Sequence, residues 1–313
     1  MQLTSAAYEC CELCPRRCGV NRAAGERGFC RMGAAPVAAR AALHLWEEPP
    51  ISGERGSGTI FFSGCTLACV YCQNDDISHG GFGRETSAAR VAAMMLELAE
   101  QGAHNVNLVT ATHFAPAAAE AVALARRVGF SLPVVWNTSG YETPELVDAL
   151  ADTVDVWLTD FKYASAELAG RFSAARDYPE VAAAALQRMI AGARAKGGRA
   201  EDAEGLLTRG VIVRHLVLPG CVDDSLAVLE RVRAICGDEC DLSVMNQYTP
   251  NARCLARGGE LARPVTEDEY ELVLDAADDL GFERLWWQEG GTVSESFIPP
   301  FDETGVAGPE LKV

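Results

Sequence analysis

The sequence predicts an α/β chain: a partial (β/α)6-type barrel with a small N-terminal Cys-rich loop module. Three observations predict it. From residue 58 onward, short apolar runs alternate with helical patterns, the rhythm of parallel strands joined by crossover helices. Residues 1–35 instead hold Cys10, Cys11, Cys14, Cys18 and Cys30 among Gly, Pro and Arg, with no helical or strand period. The first apolar run, Thr59-Ile60-Phe61-Phe62, leads into three cysteines spaced C-x3-C-x2-C, at Cys65, Cys69 and Cys72. The expected organisation is a module over 1–35, a connector over 36–57, a barrel over 58–298 and a mobile tail over 299–313.

Strands are expected at 59–63, 105–110, 133–138, 154–160, 211–218 and 241–247, with a weaker one at 283–288. Their Val, Ile, Leu, Phe and Trp content and turn-rich flanks suit buried parallel strands. Helices are expected at 86–101, 116–129, 143–151, 165–172, 178–196, 223–236 and 266–280. Thr143-Pro144-Glu145 places Pro at a first helical position, and Thr266 with Glu269 reads as a capping box. Gly102, Gly129 and Gly281 stand where helices should stop. Residues 197–209 break the rhythm as a surface loop or hairpin.

The bulk numbers set limits. Apolar residues make up 49% of 313, enough for a sizeable core, and no uninterrupted apolar run reaches the length of a membrane span. Met1-Gln2-Leu3-Thr4-Ser5 has no basic start followed by an apolar run, so no secretory signal is read. Twelve cysteines then point to metal or redox chemistry in a reducing, cytoplasmic setting rather than to disulfides. A net charge of −17 disfavours a nucleic-acid partner, which needs a basic footprint.

Three thiolates on one short loop can hold three irons of a [4Fe–4S] cluster and leave the fourth open, whereas a structural zinc site needs a fourth ligand. This Cys65/Cys69/Cys72 loop resembles that of the radical S-adenosylmethionine (SAM) superfamily. The resemblance implies that the open iron chelates the methionyl end of SAM, whose reductive cleavage gives a 5′-deoxyadenosyl radical. The cofactors then carry the chemistry, and the protein supplies position and exclusion of water.

Ligands gather at the C-terminal ends of strands in such barrels, so the residues after each strand are candidates for SAM contact. Tyr71 lies in the cysteine loop and can pack beside an adenine. Thr110, Thr112 and His113 follow the second strand, where superfamily members commonly carry Gly-Gly-Glu. Asn137 and Thr138 end the third strand, and Asp160 and Lys162 the fourth. Arg214 is costly in an apolar strand unless paired, with Asp160 or a SAM carboxylate as the expected partner. Asn246, after the sixth strand, can read an adenine edge.

A closer resemblance rests on residues 11–33, Gly58–Cys65, Cys72-Gln73-Asn74, residues 102–113 and residues 213–220. It is to the pyruvate formate-lyase activating enzyme-like branch, especially a subfamily of activating enzymes with an N-terminal Cys-rich segment, and it runs to about residue 298. It implies hydrogen abstraction from a glycine of a partner glycyl-radical enzyme or another protein substrate, with a flavodoxin or ferredoxin as reductant. Asp160 and Lys162 match that branch's Asp-x-Lys; Asn137 stands where an acid is usual.

Cys11, Cys14, Cys18 and Cys30 read C-x2-C-x3-C-x11-C, four ligands for a closed zinc or iron–sulfur site, with Cys10 as a spare. Cys221, Cys236, Cys240 and Cys254 are spaced like ordinary thiols. The same motifs also suit a radical SAM enzyme acting on a small molecule, and a non-enzymatic iron–sulfur electron carrier is the rival class.

Overall fold

The structure, a computed structural model, describes residues 1–288 and 298–312; residues 289–297 of the expected barrel and Val313 of the expected tail lie outside them. In chain order the elements are β1 (Val37–His44), α1 (Pro49–Ser52), β2 (Ser57–Phe62), α2 (Asp75–Ser78), β3 (Arg84–Glu85), α3 (Ala88–Glu100), β4 (Val106–Val109), α4 (Ala115–Arg127), β5 (Val134–Thr138), α5 (Pro144–Ala149), β6 (Val156–Asp160), α6 (Ala166–Ser173), α7 (Tyr178–Ala195), β7 (Ala200–Glu201), β8 (Leu207–Leu216), α8 (Val222–Cys236), β9 (Asp241–Met245), α9 (Ala252–Arg257), α10 (Glu267–Asp279) and β10 (Leu285–Trp287). Strands β2, β4, β5, β6, β8, β9 and β10 lie side by side, all parallel. Among the described residues no pairing closes the sheet, so it is a partial barrel.

The strands have two buried faces, as a parallel sheet covered by helices requires. Leu108, Trp136, Trp157 and Val213 face outward into the main core under the helices. Their alternates Val109, Asn137, Asp160 and Arg214 line the barrel interior. At the N-terminal strand ends the interior is plugged by Ile51 of α1, packed with Val135, Val156, Leu158, Leu207 and Ile212.

Helix boundaries follow local chemistry. Thr143 caps α5 by accepting from Leu146 N, with Pro144 in the first turn. Thr266 and Glu269 form the expected capping box of α10. Residues 197–209 contain the expected hairpin, with β7 antiparallel to β8.

Two expectations are corrected. The stretch 36–57 is more than a connector: β1 pairs antiparallel with β2 along its length, and α1 plugs the barrel. The stretch 299–312 is no loose tail. Glu303 N donates to Ala39 O, Thr304 O accepts from Ala41 N, and Leu311 N donates to Ala89 O. The buried Arg90 of α3 donates to the carbonyls of Gly305, Val306, Ala307 and Pro309. An arginine side chain satisfied by backbone carbonyls leaves no periodic signal in the sequence it holds.

Candidate functional site

Strand β2 delivers the cysteine loop to the C-terminal end of the barrel. Gly64 turns the chain with φ 82°, and a side chain there would collide with Met32 and the Cys30 carbonyl. Cys65, Cys69 and Cys72 all line one cavity of about 640 Å³. Each sulfur has a polar neighbour: Leu67 N donates to Cys65 Sγ at 3.4 Å, Ser173 Oγ lies 2.9 Å from Cys69 Sγ, and Ser78 Oγ donates to Cys72 Sγ at 3.2 Å. Burial pushes all three thiols up, Cys72 to about 11, so the free loop carries protonated thiols.

Below the loop the cavity wall is charged. Asp160 Oδ2 accepts from Lys162 Nζ at 2.6 Å, and Asp160 Oδ1 lies 2.8 Å from the Arg214 guanidinium. Arg214 also donates to Asn137 Oδ1 at 2.8 Å and reaches Glu47 at 3.3 Å. Glu47 accepts from Asn107 at 2.5 Å and from Asn137 at 3.3 Å. Burial raises the Asp160 carboxyl, but the opposing Arg214 and Lys162 charges outweigh it and hold it below its usual value. Burial raises Glu47, and it pushes Glu48 to about 7 even against the Arg214 charge. Among the described residues the lining thus sets three carboxyl groups, Glu47, Glu48 and Asp160, against two cations, Lys162 and Arg214.

The structure brings together most of the residues singled out from sequence. Tyr71, Thr110, Asn137, Thr138, Asp160, Lys162 and Arg214 line the cavity with the three cysteines. The Tyr71 hydroxyl bonds the Tyr163 hydroxyl at 2.6 Å, and its ring packs edge-on to Tyr248. The expected Arg214–Asp160 pair is present.

Three expected contacts are not on the cavity wall. Thr110 sits at φ 61°, a left-handed conformation that redirects the chain into a short 3₁₀ turn over Thr112–Phe114. Thr112 consequently points to the Glu142 carboxylate, to which it donates at 2.5 Å. His113 is buried behind the loop with Nε2 bonded to Ser63 O at 2.8 Å, and burial lowers it to about 3, a neutral packing residue. Asn246 is not among the lining residues; its neighbour Gln247 is.

Glu47 and Glu48 were missed from sequence because Trp46-Glu47-Glu48-Pro49-Pro50 reads as a solvated turn. Glu142 was missed as well. It is buried and accepts hydrogen bonds from both Thr112 and Thr138.

Of the N-terminal set, Cys11, Cys14 and Cys30 are buried and Cys18 is exposed. Among the described residues no group of three or more His, Cys, Asp or Glu side chains stands at single-ion spacing, the Cys65 set included. Cys221, Cys236, Cys240 and Cys254 are buried free thiols. Cys254 donates to Val70 O at 3.7 Å and so helps brace the cysteine loop. Among the described residues no helix is long and apolar enough to cross a membrane.

Residues 59–197 match the family model of the radical SAM superfamily. An uncharacterized protein of Methanocaldococcus jannaschii is 29% identical over 297 residues, covering 91% of this chain and 79% of that protein. Among solved structures, a radical SAM methyltransferase from Sphaerobacter thermophilus aligns with TM-score 0.49 and 16% identity, over 75% of this chain and 68% of that one. Streptococcus suis SuiB bound to S-adenosylmethionine aligns with TM-score 0.47 and 11% identity, over 72% of this chain. The match spans 48% of the SuiB chain, about half its length.

Proposed function

We propose that Cys65, Cys69 and Cys72 hold a [4Fe–4S] cluster and that the cavity beneath it binds SAM, for radical modification of a partner protein in the manner of a glycyl-radical activating enzyme. The observation that carries this reading is the wall described above: three thiols at the rim of a cavity whose side chains, among the described residues, reach about −1 once Glu47 and Glu48, both raised by burial, have ionised. SAM, with a sulfonium, an ammonium and a carboxylate, carries a net charge of +1 and complements that wall. When bound, the cluster and SAM supply a 5′-deoxyadenosyl radical that takes a hydrogen atom from the substrate.

The chain's own residues do the rest. Hydrogen bonds to the three sulfurs from Leu67 N and the hydroxyls of Ser78 and Ser173 favour electron-rich thiolates and set the ease of reduction. Lys162 is held as a cation by Asp160 and is placed to take a carboxylate. The hydroxyl groups of Thr110 and Thr138 and the backbone polar groups around them offer acceptors for an ammonium.

Anaerobic reconstitution, iron and sulfide counts and a 5′-deoxyadenosine assay test this. Dithionite-reduced wild type should cleave SAM, and Cys69→Ala should lose both cluster and product. Unchanged product from Cys69→Ala would sink the reading, and so would absence of SAM binding by calorimetry, which is the electron carrier's signature. Stimulation of the assay by a glycyl-radical enzyme supports the activating role.

A second substrate reading has its own observation. The same cavity is also lined by Glu47, Glu48, Trp286 and the exposed Trp287, acids and indoles beside the Asp160 cluster. A small cationic substrate would fit there. Product formation driven by a small molecule without any protein partner would favour it.

A further inference from the structure

Residues 1–35 have little apolar material to hold them together. Their own core is Tyr8, Cys11 and Leu13, and their regular structure is two single 3₁₀ turns, Ser5–Tyr8 and Arg22–Ala24. Backbone bonds shape the segment around its cysteines instead. Cys11 N donates to Val20 O at 3.1 Å and Gly19 N to Cys11 O at 3.0 Å, so the chain that leaves at Cys11 returns beside it just after Cys18. Arg31 N donates to Gly28 O at 3.0 Å, closing a turn around Cys30. Gly28 passes so close to the Cys18 thiol that a side chain there would collide with it. Arg17 and Arg31, next to Cys18 and Cys30, hold left-handed φ values of 38° and 64°. Non-glycine residues bear that strain where the surroundings demand it.

The decisive group is Arg22. Its side chain is 1% exposed. It donates to the carbonyls of Gly33 and His113, each at 2.5 Å at closest, and reaches Cys11 Sγ at 3.7 Å. Tyr8 and Phe114 rings flank the guanidinium. Among the described residues no carboxylate pairs with it. A buried cation among neutral acceptors is costly without a counter-charge. Burial holds the Tyr8 phenol neutral by raising it to about 12, so the group touching Arg22 that metal binding can turn into an anion is the Cys11 thiol.

We propose that Cys11, Cys14, Cys18 and Cys30 form a second, closed tetrathiolate metal centre, separate from the Cys65 site, with Arg22 as its buried counter-cation. Four thiols each release a proton to solvent as they ligate, and the negative centre that results supplies the charge Arg22 lacks. Four protein ligands leave no open position, which suits a fully ligated iron–sulfur cluster, or a zinc ion if the thiols, which do not stand at single-ion spacing, draw together on binding. The centre lies against the SAM-cluster loop: Arg16 Nε donates to Thr66 O at 2.8 Å, and Met32 and the Cys30 carbonyl fill the space at Gly64.

The test uses the full chain carrying Cys65→Ala, Cys69→Ala and Cys72→Ala together, purified anaerobically, so it does not depend on SAM chemistry. This variant should retain one centre per chain, counted as one zinc or as iron with matching sulfide, and the metal found distinguishes the two. X-ray absorption at that metal should show a first shell of sulfur alone, which needs no further mutation of the module. Adding Cys14→Ser should lose the metal, and Arg22→Gln should speed its loss to a chelator at least tenfold while Arg22→Lys stays close to the parent. Absence of zinc and iron from the triple variant, a nitrogen or oxygen shell, or Arg22→Gln retaining metal as well as the parent would overturn the assignment.

Discussion

The Arg214 guanidinium meets the Asp160 carboxylate at 2.8 Å across neighbouring strands, where the β6–β8 register sets the two residues directly opposite. Lys162 takes the other carboxylate oxygen at 2.6 Å. Asp160→Asn removes the anion that both cations share. Breaking a buried pair by deleting one partner costs ~3–5 kcal/mol, and Glu47, which also contacts Arg214, should hold the loss to the lower end. The cavity also loses a negative charge facing a cationic ligand, so SAM affinity should fall about tenfold, equivalent to ~1.4 kcal/mol. Thermal melts and calorimetry check the two effects separately, and an unchanged affinity would remove Asp160 from the site.

Thr110 is strained where it lines the cavity. A β-branched residue at φ 61° costs ~1–2 kcal/mol, whereas glycine adopts that conformation freely at an entropic cost of roughly 0.5–1 kcal/mol. Thr110→Gly should therefore be neutral or up to about 1.5 kcal/mol more stable. If the strain serves to aim the hydroxyl into the cavity, SAM affinity should drop in the same variant. A variant that is stabilised and binds SAM as well as wild type would assign the strain to the turn alone.

Arg90 ties the C-terminal segment to the barrel through four carbonyls. Hydrogen bonds to a buried charged donor are worth ~1.5–3 kcal/mol each at most, and they share one side chain. Arg90→Ala should destabilise the protein by roughly 3 kcal/mol and expose residues 299–312 to proteolysis. Limited proteolysis checks this, and a wild-type cleavage pattern would show that the backbone bonds from β1 suffice.

What was legible in the sequence was local. The parallel strands and their helices declared themselves through apolar runs and caps, and Cys65, Cys69 and Cys72 through their spacing. What was hidden depends on distant partners. β1 reads as connector because Val37–His44 has a small, Ala-rich alternation that matters only once β2 lies beside it. Glu47 and Glu48 read as surface acids until the turn before α1 carries them into the barrel interior. Thr112 and His113 were assigned to the cavity by counting from the strand end. The left-handed Thr110 breaks that count by turning the chain away. Asp160, Lys162 and Arg214 were legible because charged residues at apolar strand ends are costly anywhere except in such a cluster.

Glu142 supports the site from behind, and it gives a pH signature. Its carboxylate accepts from Thr112 at 2.5 Å and from Thr138, which lines the cavity. Burial raises its pKa from 4.5 to about 7, against the opposing effect of those hydrogen bonds. Between these values the folded protein holds a proton that the unfolded chain has given up. Stability linked to this group is therefore fully present below the unfolded value and is lost as pH rises toward about 7, then stays level. The span corresponds to roughly 3 kcal/mol. Glu142→Gln cannot ionise, so it should lack this loss and gain on wild type as pH is raised. Melting the metal-free forms of both proteins at about pH 5 and about pH 8 measures the difference. The variant's advantage should grow across that interval, because wild type alone must bury a carboxylate. Parallel melting curves would mean that Glu142 is solvated or paired in solution, and that Thr138 is not oriented by a neutral acid.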